Sequence, residues 1–93
     1  MIKTFPCKET ERLHLRLISA RFRSIERVAQ RKLRQLHGAV VLNDMASPPG
    51  NHLEALRGNR QGQHSVRIND QWRLCFRWDN GHSYDVEIVD YHS

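Results

Sequence analysis

HLEALRGNRQGQHSVRINDQWRLCFRWDNGHSYDVEIVD, residues 52–90, holds four runs of strand-forming residues parted by turn chemistry. The runs are 52–57, 63–69, 71–78 and 82–90, and their separators are residues 58–62, Asn69 with Asp70, and Asp79-Asn80-Gly81. Short connections between consecutive strands predict an antiparallel meander. Its register follows from the need to put every apolar residue on one face. A three-residue loop 79–81, with Gly81 left-handed, pairs Phe76 with Tyr84, Leu74 with Val86 and Trp72 with Ile88. A two-residue Asn80-Gly81 turn would set Phe76 against Asp85, so the longer loop is expected. Likewise a 69–71 loop pairs Ile68 with Trp72 and Val66 with Leu74 on the same face.

Before this half the pattern changes to helical spacing. Residues 24–37 place Ile25, Val28, Ala29, Leu33 and Leu36 on one stripe, with Glu26 in the first turn and Gly38 as the stop. The opposite face carries Arg27, Arg31 and Arg34, either a solvated face or a basic recognition ridge. Residues 8–23 fit both alternation (Leu13, Leu15, Leu17) and helical spacing (Leu13, Leu17, Ala20), and the early Glu9 and Glu11 favour a helix. Residues 2–5 alternate weakly and stop at Pro6, as a short edge strand does. Residues 44–51, with Ser47, Pro48, Pro49 and Gly50, form the connector between the halves. The predicted architecture is therefore α+β: an N-terminal strand and two helices packed on a small antiparallel sheet.

Ninety-three residues suit a single domain spanning 1–93, too small for a deep cofactor pocket. With no apolar run near the ~20 residues of a membrane span, and residues 1–6 short and polar for a signal peptide, a cytoplasmic protein is expected. Cys7 and Cys75 form no C-x-x-C pair, and the histidines show no metal-ligand spacing. No metal or cofactor is expected, and the cysteines read as reduced thiols. Fifteen Lys and Arg against ten Asp and Glu give a net charge of +5, and with lysine only at 3, 8 and 32 the basic residues are mostly arginine. Guanidinium forks match phosphate oxygens bidentately, so polyanionic or acidic partners are expected, ordinary solubility charge being the alternative.

The predicted register leaves a second sheet face, with Arg67 opposite Arg73, Ser65 opposite Cys75, and Glu87 beside Arg73. Two arginines directly across a hairpin repel. They are either held for an anion or neutralised by Glu87 and Asp85 as an ion ladder. After Val89 come Asp90, Tyr91 and His92: a carboxylate, a phenol able to orient a phosphate or stack on a base, and an imidazole able to move a proton. Taken alone, such a triplet is also common on ordinary surfaces.

The combination L-R-G-N-R-Q-G (56–62), S-V-R-I-N-D-Q-W-R-L-C-F-R-W (65–78) and Y-D-V-E-I-V-D-Y-H (84–92) resembles the HigB-type toxins of the RelE/ParE superfamily. The resemblance implies a compact microbial-RNase-like fold and a toxin of a type II toxin-antitoxin pair. It also implies a ribosome-dependent, metal-independent mRNA endoribonuclease that inhibits translation. Arg73 matches the family's catalytic arginine, His92 its terminal histidine with Asp90 and Tyr91 as neighbours, and Arg57 its basic L-K-G residue. Arginine at 57 suits anion binding rather than proton transfer. Some members carry histidine where this chain has Glu54, which leaves His52 and Glu54 as alternatives for a second acid or base. Arg67, Arg60 and Arg77 are the expected RNA-binding residues. The implied partners are a HigA-type helix-turn-helix antitoxin and the bacterial ribosome with its mRNA, with operator DNA reached only through the antitoxin complex. Two other readings remain: a ParE-like inhibitor of DNA gyrase, whose members usually lack the catalytic set, and a non-catalytic nucleic-acid-binding module.

Overall fold

The computed structural model describes residues 1–91. Helix α1 (Lys8–His14) and helix α2 (Glu26–Gly38) precede a four-stranded antiparallel sheet, β1 (Glu54–Ala55), β2 (Gln63–Arg67), β3 (Trp72–Asp79) and β4 (His82–Asp90). The strands lie in chain order, as the meander requires. Both helices cover one sheet face, and α1 is tied to β4 where Ile88 N–H donates to the buried Thr10 hydroxyl (3.0 Å). No helix among the described residues is long and apolar enough to cross a membrane.

The core is assembled from the residues that the two periodicities select. Ile25, Ala29, Leu33 and Leu36 from α2 meet Val66, Leu74, Phe76, Val86 and Ile88 from the sheet, with Leu13 and Phe22 between them. The 3₁₀ turns Leu42–Ala46 and Pro49–Asn51 fill the connector and bury Met45 and Asn51. Lys32 joins the buried stripe of α2, and its ammonium donates to Asn51 Oδ1.

Three expectations need correction. The N-terminal strand does not form: Ile2 makes one isolated parallel bridge to Ser83. The segment is still held along β4, through Lys3 N–H to Ser83 O (2.8 Å) and Val86 N–H to Thr4 O (3.0 Å). Between these points the Asp85 N–H goes to the Thr4 hydroxyl (2.7 Å), which interrupts a backbone ladder, and Pro6 has no N–H to extend it.

The helix expected over 8–23 ends at His14. Leu17 N–H reaches back to Arg12 O (2.8 Å) and Arg16 N–H to Leu13 O (3.0 Å), the two bonds of a Schellman cap. Arg16, at φ 64°, holds the left-handed position that glycine normally takes. For an L-residue that conformation is worse by roughly 1–2 kcal/mol. Arg12 then locks the exit by donating twice to Ile18 O (3.0 and 2.8 Å). Of the alternating leucines Leu13 alone enters the core, and Leu15, Leu17 and Ile18 are exposed.

The β3–β4 register also differs. Asp79 pairs with His82 across a two-residue turn, Asn80 and Gly81 both having positive φ (50° and 83°). Arg77 faces Tyr84, yet Cys75 faces Glu87 and Leu74 faces Ile88. The step between them is a β-bulge in which Asp85 and Val86 together oppose Phe76, and Asp85 sits at φ 52°. The bulge carries Asp85 outward and returns Val86 to the core, so the apolar face is kept by the strand and not by the loop. On the other side of β3 the expected register holds, with Val66 opposite Leu74, Ser65 opposite Cys75 and Arg67 opposite Arg73.

Candidate active site

The sheet face turned away from the helices collects Ser65 from β2, Arg73 and Cys75 from β3, Glu87 from β4 and Glu54 from β1. Arg73 is at its centre, its side chain only 12% exposed. Its Nε donates to the Ser65 hydroxyl (2.8 Å), and its Nη2 donates to the His52 carbonyl (2.6 Å) and faces Glu54 Oε1 at 3.1 Å. His52 can offer that carbonyl because it takes the left-handed conformation (φ 45°) as the 3₁₀ turn Pro49–Asn51 ends. With a longer bond from Nη2 to the Ser65 carbonyl (3.4 Å), four contacts fix the guanidinium plane, and among the described residues Nη1 makes no hydrogen bond. A guanidinium anchored on one edge presents the other as a rigid donor to an anion.

Tyr91 lies over this group, with the Arg73 Cζ 6.0 Å from its ring centroid. It is held by its own backbone, Tyr91 N–H to Gln71 O at 2.5 Å, just past the end of β4. Its hydroxyl is 4.0 Å from the Cys75 sulfur. Cys75 is fully buried and floors the site. Burial pushes the Cys75 thiol up, and the nearby Tyr91, Arg60 and Arg73 only partly oppose this. The Tyr91 phenol is raised too, first by burial, so at neutral pH it is a hydrogen-bond donor.

The other expected residues divide. Arg60, in the 3₁₀ turn Gly58–Arg60, reaches Glu87 (2.8 Å) and Gln63 (3.0 Å), and the Glu87 contact holds its guanidinium charged. Glu87 therefore neutralises Arg60 and not Arg73, because the bulge places it opposite Cys75; Arg73 is matched by Glu54. Arg77 is paired with the bulge residue Asp85 (3.2 Å), and Arg67 with Asp70. Asp90 closes β4 opposite Trp72 and accepts from Gln71 Nε2 (3.2 Å). Arg57 is exposed just before the 3₁₀ turn, and its side chain makes no hydrogen bond or ion pair among the described residues. His92 lies outside the described residues. The structure thus gathers Arg73, Glu54, Tyr91 and Arg60 around Cys75 and sets Arg67 and Arg77 at the rim. Sequence reasoning missed the struts, the Ser65 hydroxyl and the His52 carbonyl. The first was legible in the Ser65–Cys75 register, but a main-chain acceptor leaves no mark on residue type.

The comparisons with known proteins bear on this arrangement. Residues 9–92 match the family model described as the RelE-like toxin of the type II toxin-antitoxin system HigB. Toxin HigB-1 of Vibrio cholerae serotype O1 is 47% identical over 58 residues, covering 62% of this chain and 61% of that protein. Endoribonuclease HigB of Proteus vulgaris is 38% identical over 40 residues, 43% of this chain and 44% of that one. The match thus spans less than two thirds of either relative. Among solved structures, the YoeB-YefM toxin-antitoxin complex of Staphylococcus aureus contains a chain with a TM-score of 0.62 at 22% identity, covering 100% of this chain and 97% of that one. The YoeB dimer from the same organism gives 0.55 at 20%, covering 99% and 95%. The fold is therefore shared with YoeB, and by the match over residues 9–92 the chain belongs to the HigB-like family of RelE-like toxins of type II toxin-antitoxin systems.

Proposed function

We propose that this chain is the toxin of a type II pair and cuts mRNA on the bacterial ribosome in the cytoplasm, using side chains and no metal ion. The observation that carries the reading is Arg73, anchored by Ser65 and His52 with one guanidinium edge left to the open face beside Tyr91. A preorganised cation of this kind stabilises charge that builds on a phosphate in the transition state.

In the proposed reaction the ribose 2′-hydroxyl loses its proton and attacks the adjacent phosphorus, the bond to the 5′-oxygen breaks, and a 2′,3′-cyclic phosphate and a 5′-hydroxyl result. Arg73 holds the non-bridging oxygens, with Arg57 and Arg60 as further cationic support. Glu54, 3.1 Å from the guanidinium, stands beside the phosphate that Arg73 would hold and takes the 2′-proton. His92 gives a proton to the leaving 5′-oxygen. Tyr91 donates a hydrogen bond from its phenol to the phosphate or stacks on a base, and Asp90 steadies the end of β4 just before Tyr91. Arg67 and Arg77, at the rim, contact the strand on either side. The ribosome supplies substrate orientation, so free RNA is a poor substrate. A HigA-type helix-turn-helix antitoxin holds the toxin between uses, and operator DNA is met through that complex.

The test is a translation reaction with bacterial ribosomes and a defined mRNA, in which new 5′ ends are mapped. Cuts within the reading frame should require ribosomes and should fade with Arg73→Ala, His92→Ala and Glu54→Gln. Intact mRNA at every concentration of folded wild-type protein refutes the reading and directs the next assay to DNA supercoiling by gyrase. Wild-type rates for Glu54→Gln alone remove Glu54 as the base and leave His52 in its place.

A further inference from the structure

Two groups of arginines stand apart in this molecule. On the sheet side Arg60, Arg67, Arg73 and Arg77 each face a carboxylate. On the helical side Arg16, Arg27, Arg31 and Arg34, together with Gln30, line an open cleft of about 310 Å³. None of these four makes an ion pair or a side-chain hydrogen bond among the described residues. The division runs through the whole chain: residues 1–51 hold ten lysines and arginines against four acids, and residues 52–93 hold five against six. The excess positive charge therefore belongs to the helical half.

Two independent features build the cleft. Arg27, Arg31 and Arg34 share one exposed face of α2, at steps of four and three residues, so they form a straight ridge about 10 Å long. Arg16 comes from a different element, the Schellman cap of α1, where its φ of 64° is a conformation that glycine adopts without strain. A chain that keeps arginine there accepts backbone strain at a point that brings a fourth guanidinium to the ridge. Like charges so arranged repel each other unless an anion lies between them.

We propose that this cleft binds the sugar–phosphate backbone of a folded RNA helix, separately from the sheet face. It deepens the RNA-cleaving reading and rests on it for the class of partner. Guanidinium groups recognise phosphate oxygens in pairs, and among the described residues no aromatic lines the cleft on which the base of a single strand could stack. Among RNA forms this lining suits a regular run of backbone phosphates read by shape, and RNA helices are recognised in that way.

The experiment is fluorescence anisotropy with a labelled RNA hairpin over a series of salt concentrations. Arg27→Gln with Arg31→Gln should weaken binding about tenfold or more, and should lower the slope of log affinity against log salt by about two. Arg16→Gly should lower the slope by about one while its melting temperature stays level or rises, which separates lost charge from lost fold. The control, Lys3→Gln with Lys8→Gln, removes the same two charges elsewhere and should leave the slope near wild type. An equal effect in that control would mean diffuse attraction and overturn the proposal, as would wild-type binding by the cleft variants. Displacement of the hairpin by poly-glutamate or tripolyphosphate at lower concentration than by unlabelled hairpin would assign the cleft to an acidic peptide or a free polyphosphate instead. Because the readout is binding to hairpin RNA, failure of mRNA cleavage leaves this result standing and refutes only the nuclease reading.

Discussion

Replacing Asn51 by alanine tests the joint between the helical half and the candidate site. Asn51 is fully buried; its Oδ1 accepts from Lys32 Nζ and its Nδ2 donates to Met45 O (3.0 Å) and Ser47 O (3.1 Å). Ser47 O also receives Gln35 Nε2 (2.6 Å), so alanine orphans the Lys32 ammonium and the Met45 carbonyl. A lost hydrogen bond to a charged group is worth about 1.5–3 kcal/mol, and an unsatisfied buried carbonyl adds about 1–3 kcal/mol. The expected destabilisation is about 3–4 kcal/mol, or a fall in Tm of roughly 15–25 °C for a domain of this size. Lys32→Met is the second arm, since it removes the charge that Asn51→Ala strands. The double variant should be at least about 1 kcal/mol more stable than the two single effects predict. Urea unfolding followed by circular dichroism measures all three. Additivity within about 0.5 kcal/mol, or an Asn51→Ala protein as stable as wild type, would refute the account. Cleavage should fall as well at temperatures where the variant is folded, because His52, whose carbonyl anchors Arg73, is the next residue.

Three further outcomes are expected. Arg73→Lys should lower ribosome-dependent cleavage by about 10²–10³-fold at temperatures where the variant is folded, because one ammonium cannot keep the Ser65 and His52 contacts and also face a phosphate. His14 is lowered from the ordinary 6.5 by burial and then by His37, 5.1 Å away ring to ring, so the unfolded chain takes up this proton first as pH falls. Stability should decline from about pH 6.5 downward, by well under about 1.4 kcal/mol per pH unit for a partly exposed ring, and His14→Gln should flatten the decline in urea midpoints. At the β3–β4 turn, Asn80→Gly should be near neutral, whereas Asn80→Val at φ 50° should cost at least about 1–2 kcal/mol in the same assay.

The meander, its β2–β3 register and the core of α2 were legible because each follows from spacing alone. Val66, Leu74 and Ile88 must share a face, and any pairing that separates them exposes apolar surface. The β3–β4 connection was not, because a longer loop and a bulge solve that constraint equally well on paper. Asp85 at positive φ is the device chosen, and aspartate is among the few residues that tolerate it. The end of α1 was hidden for a related reason: arginine at a left-handed cap contradicts the local preference for glycine, and Leu15 and Leu17 continue a pattern that the chain does not bury. Ion pairing was half legible. The residues of the ladder could be named, but once the bulge shifted β4 each carboxylate met a different arginine.

That shift bears on why an RNA-cleaving site would depend on a larger assembly. Whether the paired arginines on the sheet form an ion ladder or an anion site need not be an alternative. Each of the four has a carboxylate beside it, so the face carries almost no excess charge with which to capture a free polyanion. A phosphate arriving at Arg73 must compete with Glu54 at 3.1 Å, and it can do so when something else holds the strand in place. A cluster of four unmatched arginines lies instead on α2 and the α1 cap, on the other side of the core from β3. On the proposed function, capture and cleavage are then performed by different faces of one small fold. Affinity for structured RNA should vary with the helical arginines and cleavage with Arg73, with little crossover between the two.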